Sequence, residues 1–396
     1  MDQENLTIHL EKANTLDKLL PKEDRRKVVS LKITGNIGKN DFDQVLDEMC
    51  YVDLIYKNYY DEDDAGVPDY KNACPLRHLD LGEATYTDGD ILPDFGFNTQ
   101  LESIILPQGI KSIVEEYDSD STLSFSRRLR TVVFPKGIKS VGGLSGCTKL
   151  KNVLIPDTAE EISSYAFSDC NALSELRIPA SVKQLDATAF TYSSIKEFEI
   201  DNNNPYYTVV DGVIFSKDLK TLVAFPPNTE KKEYTIPPMT KVIGVGAFMG
   251  SELRYINIPD SVIRIDECAF EGGKLRSLEM PDSVTEIGHS LFHRCRNLEH
   301  LRLSNSLADI PGQTFSSCDK LKKIIIPPSV KRLELTNIFW STHLETIVLN
   351  EGLEEIYLDG WDANTCAKYH SKRLRILNWP KSLRAYPAEL LKYRKK

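Results

Sequence analysis

One cluster of metal-ligand side chains stands out in the sequence. His289, His293 and Cys295 are close in sequence, and the two histidines would share one face if the segment were helical. Cys295 and the neighbouring Phe292 occupy positions that we expect to point inward, so the histidines are expected on the outer surface without a third ligand. We therefore predict no metal site.

Carboxylates form a second group of candidates. Glu197 and Glu199 lie on one strand face and resemble the acid pair of a glycosidase, but an open face implies no pocket around them. The acidic run from Asp61 to Asp64 lacks the alternating oxygen-ligand spacing of a calcium loop. There is also no nucleophile elbow, no glycine-rich phosphate loop before a helix and no HExxH motif. The sequence predicts no catalytic residue and no cofactor.

The chain has eight cysteines, too few for a disulfide scaffold and without paired CxxC spacing. Two interpretations are open for the four that recur at one position of a repeat: a disulfide or metal link between neighbours, or a compact apolar residue that fills a small space. The second is favoured. These four are Cys147, Cys170, Cys295 and Cys318. Cys50 and Cys74 flank an acidic segment, and a disulfide between them is the less favoured alternative.

Composition limits the classes of function. Of 396 residues, 41% are hydrophobic and 27% charged, so the chain can bury a large core. A net charge of −9 argues against nucleic acid as the main partner, because phosphate binding needs a basic surface. No window approaches the ~18 uninterrupted apolar residues of a membrane span. Residues 1–14 lack the apolar segment of a signal peptide. We expect a secreted or cell-surface protein whose leader is absent from this chain, with a cytoplasmic location as the alternative.

A repeat of 22 or 23 residues accounts for most of the chain. Its form is L-x-x-I-x-I-P-x-S-V-x-x-I-x-x-x-A-F-x-x-C, and the most regular copies begin at Leu150, Leu173, Leu253, Leu275 and Leu321. Further copies start at Leu76, Leu101, Leu129, Ile195, Lys231, Leu298, Leu344 and Leu374. This spacing predicts about 13 turns. No single turn can bury its own apolar face, so neighbouring turns must cover one another.

Each position of the repeat has a physical interpretation. The alternating pair Ile256 and Ile258 predicts a short strand with one face inward. Proline ends the strand in most copies, because it has no N–H to donate. A second inward pair, Val262 and Ile265, comes from another side of the coil. The A-F step that follows predicts a short helical turn on the convex side. Its phenylalanines should form a buried ladder, namely Phe167, Phe190, Phe248, Phe270, Phe292 and Phe315.

Two segments break the period. Asp211-Gly212 between apolar, β-branched runs predicts a hairpin within an insertion over residues 201–230. Residues 359–373 form an enlarged loop. Residues 1–75 are predicted to be an N-terminal cap with a degenerate first repeat at Val28–Ile33. From residue 76 to residue 396 the array is expected to continue as one solenoid.

The repeat resembles the BspA-type leucine-rich repeat, which is known from surface proteins of anaerobic gut and oral bacteria and from some parasitic protists. The Asn204–Phe215 segment is similar to the hairpin that interrupts many members' arrays. Leu31–Gly35, Asp41-Phe42 and Leu79–Leu81 are similar to the cap of Bacteroides-type members. The resemblance implies an α/β-type solenoid rich in β, with short parallel strands and short convex helical turns. It also implies a non-enzymatic binding protein, often exported and sometimes adhesive, and it does not identify the ligand.

The outward positions of the strands are the remaining candidate site. They are apolar at Ile105, Val133 and Leu154, acidic around Glu197 and Glu199, and mixed in later copies. On the mixed part, a tyrosine ring, an amide and an arginine fork are the groups suited to a partner. The predicted contact residues are Tyr255, Asn257, Glu279, His300, Arg302 and Lys323.

Three functions from different classes follow from this surface. The leading hypothesis is a monomeric binding or adhesion protein at the cell surface, whose partner is a protein or a glycan. An intracellular protein-interaction scaffold is the first alternative. A carboxylate-based glycan hydrolase is the second and the less favoured.

Overall fold

The computed structural model of the chain describes residues 5–50, 54–55, 67–68, 74–93, 100–113, 123–334, 343–357, 375–386 and 394. The predicted loop at 359–373 and the acidic run at 61–64 lie outside these residues. The chain divides into two compact units, 1–206 and 207–396, and each is described by itself. Continuity of the array from residue 76 to residue 396 stays a prediction.

The first unit begins with two long strands and several short helices. β1 (Asn5–Leu10) precedes α1 (Leu16–Leu19), α2 (Lys22–Arg25) and β2 (Ser30–Ile37). A continuous helical stretch follows, made of α3 (Lys39–Asp41), a π-helical turn (Phe42–Leu46) and α4 (Asp47–Cys50). β2 is parallel to the first repeat strand, with Leu31 opposite Leu79. β2 therefore has the register of a repeat strand.

Burial of one apolar face explains the helical stretch. Its apolar residues follow the i, i+3, i+4, i+7 spacing and are fully buried, namely Phe42, Val45, Leu46 and Met49. The buried Asp41 carboxylate anchors the start of the stretch. It accepts hydrogen bonds from the backbone N–H groups of Asn14 (2.7 Å), Leu16 (2.8 Å) and Gly38 (2.9 Å). Within the described part of the chain, no helix is long and apolar enough to cross a membrane.

Short parallel strands follow in the first unit. After the antiparallel pair β3 (Leu54–Ile55) and β4 (Val67–Pro68), they are β5 (His78–Tyr86), β6 (Ser103–Ile105), β7 (Thr131–Val133), β8 (Ser140–Val141), β9 (Asn152–Val153), β10 (Glu161–Ile162), β11 (Glu175–Ile178), β12 (Gln184–Leu185) and β13 (Glu197–Ile200). One sheet has the order β1-β2-β5-β6-β7-β9, and β11 pairs with β13. β8, β10 and β12 form a second sheet from another side of each coil.

The second unit begins with the hairpin and repeats the same plan. Its strands are β14 (Tyr207–Val210), β15 (Val213–Ser216), β16 (Thr221–Ala224), β17 (Glu233–Thr235), β18 (Val242–Ile243), β19 (Tyr255–Asn257), β20 (Arg264–Ile265), β21 (Ser277–Glu279), β22 (Glu286–Ile287), β23 (His300–Arg302), β24 (Lys323–Ile325), β25 (Arg332–Glu334), β26 (Thr346–Val348), β27 (Glu355–Tyr357) and β28 (Arg375–Leu377). Sheets β17-β19-β21-β23 and β24-β26-β28 come from the first strand of each repeat. β14 and β15 are antiparallel across Asp211 (φ 52°) and Gly212 (φ 82°), the left-handed pair of a tight hairpin.

The predicted burial of the six phenylalanines is confirmed, and they stack on one another within each unit. All six phenylalanines are at most 1% exposed. In the first unit the Phe167 and Phe190 rings stack with centroids 6.4 Å apart, and in the second unit Phe270 and Phe292 stack at 5.4 Å. Parallel strands on consecutive coils around this ladder confirm the predicted solenoid fold.

The A-F step differs from the predicted helical turn. Only one described copy is helical, the 3₁₀ segment Ala187–Phe190. In the second unit the backbone N–H groups of Gly246, Phe248 and Gly250 instead donate to carbonyls of the next coil at 2.8 to 3.0 Å. Gly246 and Gly250 have positive φ values of 62° and 71°, so every second N–H points toward the neighbouring coil. Bonds to the next coil therefore alternate with bonds inside the turn, such as that from the Met249 N–H to the Gly246 carbonyl at 2.8 Å.

Candidate binding surface

Five of the six predicted contact residues lie on one sheet. In the parallel sheet β17-β19-β21-β23, Tyr255 is opposite Ser277, and Ser277 is opposite His300. Glu279 is opposite Arg302 in the same register. Hydrogen-bonded neighbouring strands are about 4.8 Å apart. The sheet therefore places these side chains in two adjacent rows without the help of a loop.

Alternation along the strands explains why these side chains face solvent. In β19 the central Ile256 is 7% exposed and packs inward, while Tyr255 and Asn257 on either side of it are exposed. Lys323 is exposed as well, but it lies on β24, which pairs with β26. The structure thus brings five predicted residues together and puts the sixth in a separate sheet.

Arg302 is already partnered. Its Nη1 donates to the backbone carbonyl of Met280 at 2.6 Å, and its Nη2 lies 2.8 Å from Oδ1 of Asp282. The backbone and side chain of Asn305 also donate to Asp282. These Asn305 bonds, with the guanidinium as a further cause, hold the pKa of the Asp282 carboxyl below its usual range. Arg302, whose guanidinium was predicted to bind a ligand, therefore holds the loop around Asp282 and Asn305 instead.

The other five predicted side chains are unpartnered. Within the described part of the chain, no side-chain hydrogen bond or ion pair involves Tyr255, Asn257, Glu279, His300 or Lys323. Tyr255 is 42% exposed. Polar groups held in register by a rigid sheet and free of internal partners have donors and acceptors available for another molecule.

The outward face of the first unit carries the predicted apolar residues. Ile105 and Val133 are opposite each other on β6 and β7. Val133 is 44% exposed and Leu154 is 80% exposed, whereas Ile105 is half-buried. Exposed aliphatic side chains on successive coils form a second candidate contact area.

The predicted acid pair lies on the open face of β13. Glu197 is opposite Glu175, and Glu199 is opposite Arg177. Both Glu197 and Glu199 are exposed. Arg177 lies 3.0 Å from Asp201, so its charge is directed to a third carboxylate.

The recurring cysteines are buried free thiols with a specific partner. Each donates its S–H to a backbone carbonyl of the preceding coil, at 3.2 Å for Cys147 and Cys170, 2.9 Å for Cys295 and 3.0 Å for Cys318. Burial raises the pKa of Cys147 and of Cys318 to about 12. The described cysteines, which include Cys50 and Cys74, are all free. The prediction of a small filler was incomplete, because these four thiols also donate a hydrogen bond to the preceding coil.

The two histidines of the predicted outer surface each pair with a glutamate one coil earlier. Nε2 of His289 lies 2.5 Å from Glu267, and Nδ1 of His293 lies 3.2 Å from Glu271. In the described part of the chain, no group of three or more ligand side chains could hold a metal ion. Each histidine follows its glutamate by 22 residues, which is the repeat length. These pairs could therefore have been predicted from the repeat spacing.

Comparison with known proteins matches this architecture. The family model described as the BspA-type leucine-rich repeat region matches residues 119–234 and 241–365, with six copies. A leucine-rich repeat protein from Eubacterium ventriosum is 19% identical, with a TM-score of 0.54 over 98% of this chain and 93% of that one. A leucine-rich cell surface protein from Faecalibacterium prausnitzii is 21% identical, with a TM-score of 0.48 over 92% and 86%. None of the curated proteins matches the chain.

Proposed function

The chain belongs to the BspA-type leucine-rich repeat family, and we propose that it is a non-enzymatic binding protein acting at the cell surface. Its partner is a protein or a glycan, and its contact area is the outward face of the sheet β17-β19-β21-β23. Leucine-rich repeat arrays present long sheet faces to partners, which supports a binding role for this one.

One observation carries the proposal. Tyr255 and His300 lie in one row of the sheet, Asn257 and Glu279 lie in the next, and all four are exposed and free of partners among the described residues. Arg302 in the same sheet is instead paired with Asp282. Tyrosine is also among the residue types enriched at the centres of interfaces.

The test compares two double variants of the full chain on a glycan array and a panel of purified host surface proteins. Tyr255→Ala with His300→Ala removes the ring and the imidazole from the proposed face. Val133→Ala with Leu154→Ala is the matched control on the outward face of the first unit. We expect the first variant to weaken binding by more than about tenfold with no change in melting temperature, and the second to bind like the natural chain.

Two results would contradict the proposed face. Undiminished binding by the first variant places the contact area elsewhere. Loss of binding in the Val133 and Leu154 variant alone moves it to the apolar residues of the first unit.

A further inference from the structure

Three basic side chains lie beside the proposed face. Lys232, Arg254 and Arg276 precede β17, β19 and β21 by one residue and occupy the same position of consecutive coils. The Arg254 N–H donates to the Lys232 carbonyl at 2.8 Å, and the Arg276 N–H donates to the Arg254 carbonyl at 3.0 Å. These three residues, the basic row, are therefore neighbours about 4.8 Å apart from coil to coil.

The backbone explains why the basic row and the tyrosine row are both exposed. The Lys232 carbonyl accepts the N–H groups of both Arg254 (2.8 Å) and Tyr255 (3.2 Å). The Arg276 carbonyl likewise accepts from Glu299 (2.8 Å) and His300 (3.2 Å), at the same position two coils later. The register of β17 and β19 is one to one, and Arg254 lies just before the strand, where the alternation of inward and outward side chains has not begun, so Arg254 and Tyr255 are both exposed. The basic row borders the row of Tyr255 and His300.

The basic row forms no ion pair with the described acids around it. None of its side chains forms an ion pair or hydrogen bond with another described residue. Glu233 and Glu252 are close in sequence, but neither forms an ion pair with the row among the described residues. Like charges on adjacent strands repel one another, and an anion lying between them removes that cost. The chain as a whole has a net charge of −9, so the positive charge of the basic row is confined to this part of the surface.

The same position carries an acid in other coils of both units. In the second unit Glu299 follows Arg276 there, and in the first unit Glu102 lies there, with its Oε2 3.8 Å from Nε of Arg130. The Arg130 N–H donates to the Glu102 carbonyl at 2.9 Å, so these residues are neighbours in the same way. The repeat therefore tolerates an acid at this position, and three successive bases are not required by the fold.

We propose that the basic row binds a linear acidic glycan, a polysaccharide with carboxylate or sulfate groups, laid along the coils across β17, β19 and β21. The inference rests on the proposed function and adds the chemical class of the ligand. Arg254 and Arg276 offer planar forks to carboxylate or sulfate, and Lys232 offers a point charge. Tyr255 offers an amphipathic ring to the apolar face of a sugar, and Asn257 offers an amide to its hydroxyls.

Geometry favours a glycan over an acidic peptide. An extended peptide repeats its side chains on one face every ~6.8 Å, which does not match a coil spacing of ~4.8 Å. A pyranose ring with its glycosidic oxygen is about as long as one coil step. A peptide also cannot extend this sheet here, because β19 and β21 are paired on both sides.

The experiment measures binding of the full chain to immobilised heparin, a glycan with both sulfate and carboxylate groups. Polyglutamate and neutral dextran are the comparison surfaces. The test variant removes the basic row through Lys232→Gln, Arg254→Gln and Arg276→Gln. The control variant removes three exposed, unpaired charges of the first unit through Lys136→Gln, Lys149→Gln and Lys151→Gln.

We expect the natural chain to bind heparin and to bind it more weakly as salt rises. The test variant should lose about a hundredfold in affinity, and the control should stay within about twofold. Equal loss in both variants would mean that overall charge, not the basic row, binds heparin. Polyglutamate bound as tightly as heparin, with the same loss in the test variant, would make the partner an acidic peptide.

The proposed function can survive failure of this inference. Suppose that another ligand binds more weakly to the Tyr255 and His300 variant but equally well to the test variant. The acidic glycan is then wrong as the ligand, and the proposed binding face stands. If no ligand responds to either set of substitutions, both proposals are wrong.

Discussion

Two rows of charged side chains, one in each unit, show how the same repeat can serve structure or binding. In the first unit Lys139, Glu160 and Lys183 follow one another on consecutive coils, and both lysine ammonium groups lie 2.5 Å from the Glu160 carboxylate. In the second unit the basic row repeats one sign and has no partner among the described residues. An alternating row neutralises itself, whereas the charges of a row of one sign stay available to an anion from another molecule. Outward positions can differ in this way because the fold constrains only the inward ones.

The largest effects are expected from the buried phenylalanines of each unit. Phe190→Ala in the first unit and Phe270→Ala in the second should each lower the free energy of unfolding by about 3–5 kcal/mol, through lost burial and a cavity. Leu154→Ala, at an 80% exposed position, is the control and should change it by less than about 0.5 kcal/mol. Denaturant unfolding of the full chain measures all three. An effect below about 1 kcal/mol for either phenylalanine would show that its ladder position is not a core position.

Charge exchange between the two rows should have the next largest effect. Arg254→Glu makes the basic row alternate in sign. We expect heparin affinity to fall by about tenfold or more, because one attractive contact becomes repulsive. Glu160→Lys makes the alternating row positive at all three positions and should create heparin binding in the first unit. A biosensor titration measures both. If Arg254→Glu binds heparin as the natural chain does, the contrast between the rows has no functional meaning.

The smallest effect is a pH dependence confined to the alternating row. Hydrogen bonds from Lys139 and Lys183 lower the pKa of Glu160 from 4.5 to about 2. The pairing therefore stabilises the folded state fully above the ordinary glutamate pKa, and that contribution is lost as pH falls toward 2. An NMR titration of the Glu160 carboxyl measures this directly, and Lys183→Gln should move its pKa back toward 4.5. An ordinary pKa for Glu160 in the natural chain would show that the row is not paired in solution.

The inward half of the molecule was predictable because it obeys a periodic rule. Leu, Ile and Phe recur at fixed positions, and only stacking of the coils can bury them, so the ladder from Phe248 to Phe315 followed from spacing alone. The hairpin at Asp211-Gly212 was predictable for a similar reason, since both residues tolerate positive φ. The short convex helix was not, because a helical turn and a turn bonded to the next coil bury the same phenylalanine.

The candidate surface was predictable only in part. Position in the repeat placed Tyr255, Asn257, Glu279 and His300 outward, and the structure agrees. Position could not show that Arg302 is engaged by Asp282, or that Arg254, just before the strand, is exposed beside Tyr255. Those outcomes depend on side-chain reach between residues about one repeat apart and on the hydrogen bonds of each coil with its neighbour.

The sequence by itself determined the repeat, the inward and outward positions and the family, because these follow from periodic burial of apolar side chains. Only the tertiary structure decided which charges are satisfied. Glu160, His289 and Arg302 meet their partners on an adjacent coil, whereas Lys232, Arg254 and Arg276 meet none among the described residues. An ion pair forms when two flexible side chains come within about 4 Å, and that distance is set by stacking and rotamer, not by residue type.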